Sequence, residues 1–133
     1  MKTYQQYAEY KKPTWSPPAW LFAPVWTVLY LLIAASFGYV GYLYLTQTIS
    51  FAILLPFLLN LLFNAVFTPI QFRLRNFALA TLDILLILAT LLWALWAIYP
   101  TAPWVAAINI PYLLWVSFAT VLQITITVLN RKN

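Results

Sequence analysis

Apolar residues in this chain fall into four long runs, and polar ones gather in the gaps between them. TQTIS (46–50), TPIQFRLRN (68–76) and YPTAP (99–103) are the three gaps. Turn-forming residues concentrate there, so the pattern predicts helices at about residues 17–45, 50–67, 77–99 and 103–129. A polar segment, residues 1–14, precedes them, and the whole reads as one transmembrane domain. Each run exceeds or approaches the ~20 residues that span a ~30 Å hydrocarbon core. Pro17 and Pro18 suit a helix's first turn, where a missing N–H is no loss. Pro24, Pro56 and Pro111 lie inside runs and predict kinks, which membranes tolerate when neighbours satisfy the freed carbonyls.

Composition narrows the class. Hydrophobic residues make up 65% of the 133 positions and charged ones 7%. A water-soluble domain of this size could not hide so much apolar side chain. Between Pro13 and Phe72 there is no Lys, Arg, Asp or Glu, and between Asn76 and Asn130 only Asp83. The expected architecture is an all-α integral membrane bundle of four transmembrane helices. Cysteine and histidine are both absent. That excludes disulfides, thiolate nucleophiles and imidazole acid–base catalysis, and no metal site is expected. The N-terminal MKTYQQYAEYKK lacks the basic-then-apolar order of a cleavable signal. The first helix is therefore expected to direct insertion and to stay in the mature chain.

Charge adds an orientation. Lys2, Lys11 and Lys12 precede the first helix, Arg73 and Arg75 lie between the second and third, and Arg131 and Lys132 follow the fourth. With four spans, those three regions share one face, and the opposite loops carry no positive charge. The positive-inside rule makes that face cytoplasmic, with both termini inside. Such cations also anchor to anionic lipid headgroups. The expected surroundings are a lipid bilayer, and no nucleic-acid partner is expected.

Polar and aromatic side chains at depth supply the candidate chemistry. Trp15, Trp20, Trp93, Trp96, Tyr99 and Trp104 fit the aromatic belt at a membrane's rim. Trp26 and Trp115 lie well inside their helices, where an indole N–H needs an acceptor. Trp26 and Tyr30 are four residues apart, as are Asn60 and Asn64. Trp115, Ala119 and Gln123 repeat at the same interval, with Tyr112 about one turn earlier. Residues so spaced share a helix face. Two readings stand side by side: interhelical hydrogen bonds and packing, or an aromatic-walled cavity with a few amides, opening toward the cytoplasmic side. Asp83 needs a partner, a proton or water, because a carboxylate in a span costs on the order of 2.5–3.5 kcal/mol on insertion scales. It is a candidate for a structural hydrogen bond or for a proton relay.

Four stretches carry a resemblance to a known family. KPTWSPPAWLFAPVW (12–26) resembles the K-P-x-W-x-P-P…W signature of the TspO/translocator proteins, also called tryptophan-rich sensory proteins or peripheral-type benzodiazepine receptors. LLNLLFN (58–64), ALATLDILL (78–86) and PYLLWVSFATVL (111–122) resemble its later motifs in the same order. The likeness covers about residues 4–129. It implies the five-helix TspO fold, with this chain's four helices corresponding to the last four and the first lacking. It also implies binding of tetrapyrroles such as protoporphyrin IX, and in some members of sterols and benzodiazepine-type drugs. By the same likeness Tyr7 matches a pocket-covering loop tyrosine, and Trp26 and Tyr30 match aromatic wall positions. Asn60 and Asn64 match polar pocket residues, Trp115 the ligand-facing tryptophan of the last helix, and Ala119 a small cavity-lining residue. A homodimer is implied as well. The cholesterol-recognition motif of animal members is not matched, since LQITITVLNRK (122–132) has no tyrosine, so sterol binding is not expected.

The expected function is a membrane receptor for a porphyrin, acting in its transport or its light-dependent breakdown. The macrocycle would stack on Trp26, Tyr30 and Trp115, and its carboxylates would reach Lys11, Lys12 or Arg75. Beyond that ligand no cofactor is required. Without His or Cys the free base is favoured over haem, with tyrosine ligation left open. Enzymatic activity is not the leading expectation. Any such activity would be oxidative breakdown driven by the ligand's excited state, with Trp26 or Trp115 taking part. The alternative is a small four-helix proton-coupled transporter of hydrophobic compounds that uses Asp83.

Overall fold

The structure, a computed structural model, describes residues 14, 18–70, 74 and 76–130. Among them the chain forms α1 (Ala19–Leu45), α2 (Phe51–Thr68), α3 (Phe77–Ile98), α4 (Pro103–Ile108) and α5 (Ile110–Asn130), with no strand. Helices α1, α3 and α5 are long and apolar enough to cross a membrane, while α2 is apolar but shorter. At 1.5 Å per residue its 18 residues measure about 27 Å. The protein is an integral membrane helical bundle.

Local chemistry explains the helix ends. Helix α1 closes with the N–H of Thr48 on the carbonyl of Leu43 (2.8 Å) and the N–H of Gln47 on that of Tyr44 (3.0 Å). Those two bonds make a Schellman motif, with Gln47 in the left-handed region at φ 64° where glycine is the usual choice. Helix α3 is capped by Asn76, whose Oδ1 accepts from the N–H of Leu79 at 3.0 Å, filling one of the donors a helix start leaves open.

The single helix expected at 103–129 is not continuous; it divides at Asn109 into α4 and α5. Pro111 has no N–H to give, and its ring crowds the carbonyl four residues back. Asn109 takes up the slack: its N–H bonds the carbonyl of Ala106 at 3.3 Å, and its Nδ2 caps the carbonyl of Val105 at 2.8 Å. Pro24 and Pro56, by contrast, sit within unbroken helices.

Helix α3 is central, packed lengthwise against α2 and α5. Its buried face runs through Ala80, Ile84, Ile87, Leu91, Ala94 and Ile98, spaced at three and four residues as an amphipathic helix requires. The alanines let neighbouring backbones come close, which is how helices associate where hydrophobicity gives no drive. Helix α1 approaches the other backbones at few points. Side chains hold it instead: Leu29, Ile33, Phe37 and Val40 enter the core, and the ring of Phe37 meets Phe57 edge-on at 4.8 Å. Buried Ser36 accepts from Asn109 Nδ2 at 3.0 Å. The hydroxyls of Thr27, Ser36, Thr90, Ser117, Thr120 and Thr125 each donate to the carbonyl four residues back at 2.7–2.9 Å. None of these hydroxyls therefore enters hydrocarbon without an acceptor.

Candidate functional site

Two aromatic stripes meet where α1 crosses α5. Phe22, Trp26 and Tyr30 line one side of α1 at intervals of four, and Trp115 and Phe118 face them from α5. The Trp26 and Trp115 rings lie 6.4 Å apart at 88°, and Phe22 meets Trp115 at 5.7 Å and 71°. Trp26 and Tyr30 are 5.3 Å apart. The two pairs that include Trp115 are edge-to-face, an arrangement a ring's quadrupole favours, whereas Trp26 and Tyr30 are tilted at 32°. Trp26 and Trp115 are half-buried and Tyr30 is 51% exposed. Ala119 packs against the same core cluster. The structure thus brings Trp26, Tyr30 and Trp115 together at one seam, with Ala119 one turn beyond Trp115 on α5. Within it the Nε1 of Trp115 is buried with no hydrogen-bond partner among the described residues. An unmatched donor in apolar surroundings is unfavourable by about 1–3 kcal/mol, and it is open to an acceptor brought from outside.

The amides do something different from one another. Tyr112 is fully buried. Its hydroxyl donates to Asn60 Oδ1 at 2.9 Å and accepts from Asn64 Nδ2 at 2.8 Å. Asn60 Nδ2 donates in turn to the carbonyl of Ile87 (3.0 Å) and to Thr90 Oγ1 (3.2 Å). Asn60, at 0% exposure, spends its amide on the protein and ties α2, α3 and α5 together. Asn64 is half-buried and, among the described residues, spends only one N–H, on Tyr112. A further polar layer lies near the α3 N-terminus, where Gln123 Nε2 donates to Thr127 Oγ1 at 3.1 Å and Thr127 meets Thr81 Oγ1 at 2.8 Å.

Asp83 stands between these layers. It is buried on α3, and its Oδ2 has no hydrogen-bond partner among the described residues. Since Asn60 pairs with Ile87 across the antiparallel α2 and α3, one turn along each helix brings Asn64 and Asp83 to the same depth. Tyr7, Lys11, Lys12 and Arg75, expected over or around the site, lie outside the described residues. So does Trp15; Trp20, Trp93, Trp96, Tyr99 and Trp104 are exposed, as belt residues should be.

Sequence reasoning placed Tyr112 on the stripe of Trp115 but gave it no role, and it passed over Phe22 and Phe118. Phe22 could have been found four residues before Trp26, on the same face. Nothing in the pattern marks the hydroxyl of Tyr112 as the joint between both asparagines.

Residues 1–129 match the TspO/MBR family. The "Tryptophan-rich protein TspO" of Bacillus cereus is 38% identical over 126 residues, which cover 93% of this chain and 80% of that relative. The "Translocator protein" of Homo sapiens is 34% identical over 122 residues, covering 88% and 70%. "Protein CrtK" of Rhodobacter capsulatus is 30% identical over 125 residues, covering 93% and 78%.

Proposed function

The chain belongs to the TspO/MBR family, and on that premise we propose that it is a membrane receptor for a free-base tetrapyrrole of the protoporphyrin IX type. The observation that carries this reading is the convergence of Trp26, Tyr30 and Trp115 around a buried indole N–H that has no acceptor among the described residues. A flat macrocycle entering the α1–α5 seam exchanges ring–ring contacts for ring–ligand contacts of the same kind. Helix α1 is held mainly by side chains, so it is the wall that yields. The N–H of Trp115 then finds an acceptor on the ligand, and Asn64 offers its spare N–H and carbonyl. Lys11, Lys12 and Arg75 take the propionates at the rim through charge-assisted bonds. In this proposal four helices span the bilayer, both termini face the cytoplasm, and the receptor works as a homodimer.

Titration of the protein in nanodiscs with protoporphyrin IX tests it. Tryptophan fluorescence should be quenched saturably, and Trp26→Phe and Trp115→Phe should each weaken binding about three- to tenfold, the worth of one aromatic contact. Parent-like affinity in both variants would remove the assignment.

A second reading is favoured by the unpartnered Oδ2 of Asp83: a proton-coupled transporter of hydrophobic compounds, with this carboxyl as the proton carrier. Proteoliposomes separate the two. Flux driven by a pH gradient that vanishes in Asp83→Asn favours the transporter, and flux indifferent to the substitution excludes it.

A further inference from the structure

Helix α3 carries the chain's one aspartate, and the stripe to which it belongs faces α2. Asp83, Ile87 and Thr90 are spaced at four and three residues and so share a side of the helix. Asn60 shows what that side meets: its Nδ2 bonds the Ile87 carbonyl at 3.0 Å and the Thr90 hydroxyl at 3.2 Å. One turn toward the start of α3, Asp83 stands opposite Asn64, and half-buried Phe63 and Phe67 lie beside Asn64 on α2.

The other polar groups of this stripe are matched. Thr90 donates to the Leu86 carbonyl at 2.8 Å, and the Tyr112 hydroxyl joins Asn60 to Asn64. Asp83 is the exception, at 5% exposure with an Oδ2 that has no partner among the described residues. No lysine or arginine lies between Pro13 and Phe72 or between Asn76 and Asn130, so none of the helices brings it a counter-charge. A carboxylate at that depth is unfavourable until a cation joins it. The surroundings suit an organic cation better than a metal ion. A metal ion needs several oxygen or nitrogen ligands, and the described residues hold no group of three metal-ligating side chains, whereas the faces of aromatic rings attract an ammonium.

We propose that Asp83 and Asn64 form a binding site for a hydrophobic amine in its protonated state. The ammonium pairs with Asp83 Oδ2 through a charge-assisted bond, the Asn64 carbonyl accepts a further N–H, and the apolar body lies along Phe63 and Phe67. The filled site is neutral, because each charge is buried with its opposite. One carboxyl holds either a proton or an ammonium, so an ammonium entering the protonated site releases that proton to water. The proposal rests on the transporter reading of Asp83 and narrows its substrate from hydrophobic compounds to hydrophobic amines.

Equilibrium dialysis of the full chain in phosphatidylcholine nanodiscs tests it, at neutral pH and with no gradient, against protein-free nanodiscs as reference. The probes are naphthylmethylamine and naphthylmethanol, alike in shape, of which only the first is charged. The amine should bind about thirtyfold more tightly than the alcohol, the low end of what a buried charge pair is worth. Asp83→Asn should erase the difference, and Asp83→Glu, which keeps the charge, should retain part of it. A second readout needs no variant. In protein labelled with ¹³C-aspartate, the single side-chain carboxyl signal should shift with the amine and stay in place with the alcohol. Equal affinity for the two probes, or a preference that survives Asp83→Asn, would overturn the proposal. So would a carboxyl signal indifferent to saturating amine. Flux is a separate measurement: proton-driven flux that depends on Asp83 would leave the transporter reading standing even where the amine preference fails.

Discussion

Tyr112→Phe removes one oxygen and breaks two bonds at once. The hydroxyl receives Asn64 Nδ2 at 2.8 Å and donates to Asn60 Oδ1 at 2.9 Å. Interhelical hydrogen bonds in membranes average about 0.6 kcal/mol and reach about 1.7, so the pair itself contributes about 1.2 kcal/mol. The partners left behind matter as much. Asn64 is half-buried and can turn to another group, but Asn60 is sealed at 0% exposure, and its carbonyl has nowhere to go. An unsatisfied buried acceptor adds about 1 kcal/mol or more. The expected loss is therefore about 2 kcal/mol, roughly thirtyfold in the unfolding equilibrium. Unfolding of the purified protein in bicelles by added dodecyl sulfate measures it. In an Asn60→Leu background the same substitution should cost markedly less, because the acceptor it orphans is already gone. A loss under about 0.5 kcal/mol, or costs that add within about 0.3–0.5 kcal/mol, would refute the three-helix tie.

Other outcomes follow from single positions. Gln47→Gly should stabilise the fold by up to about 1 kcal/mol, since the left-handed residue loses its steric penalty; a lower unfolding midpoint would contradict the Schellman geometry. Asp83→Asn should raise stability in the same assay by about 1 kcal/mol or more, because it replaces a buried carboxylate that has an unpartnered oxygen. A fall would mean that the carboxylate has a partner outside the described residues. Under illumination, loss of the Soret band beyond a no-protein control would show breakdown of bound porphyrin, and Trp115→Phe should slow that loss; an unchanged rate in the variant would assign the chemistry to the ligand alone.

Much of the bundle was legible because hydrophobic run length and turn chemistry are local properties. Helices α1, α2 and α3 begin and end close to where TQTIS, TPIQFRLRN and YPTAP predict. The break at Asn109 was not, although Pro111 marked the neighbourhood: the Asn109 N–H turns to the Ala106 carbonyl and its Nδ2 takes the Val105 carbonyl that the N–H would otherwise serve, a substitution no spacing pattern foretells. At the site, spacing alone put Trp26 with Tyr30 and Asn60 with Asn64, since faces repeat every four residues. It could not say which faces meet. The indoles turned toward each other across α1 and α5, whereas Asn60 turned inward to Tyr112, Thr90 and the Ile87 carbonyl. Two residues with the same side chain on the same stripe thus came apart, Asn60 as a tie and Asn64 with hydrogen-bonding capacity to spare. That difference belongs to the packing of three helices, and no single helix's pattern contains it.

In the proposed receptor the Trp115 indole, unpartnered among the described residues, marks the ligand's place. With seven tryptophans in the chain, indole-¹⁵N labelling gives one resolvable Nε1–H signal per residue. On adding protoporphyrin IX to the labelled protein in nanodiscs, the Trp115 signal should move downfield as it gains an acceptor. Its hydrogen exchange should slow, while lipid-facing Trp96 stays in place. A Trp115 signal that neither moves nor gains protection at saturating ligand would place the porphyrin elsewhere.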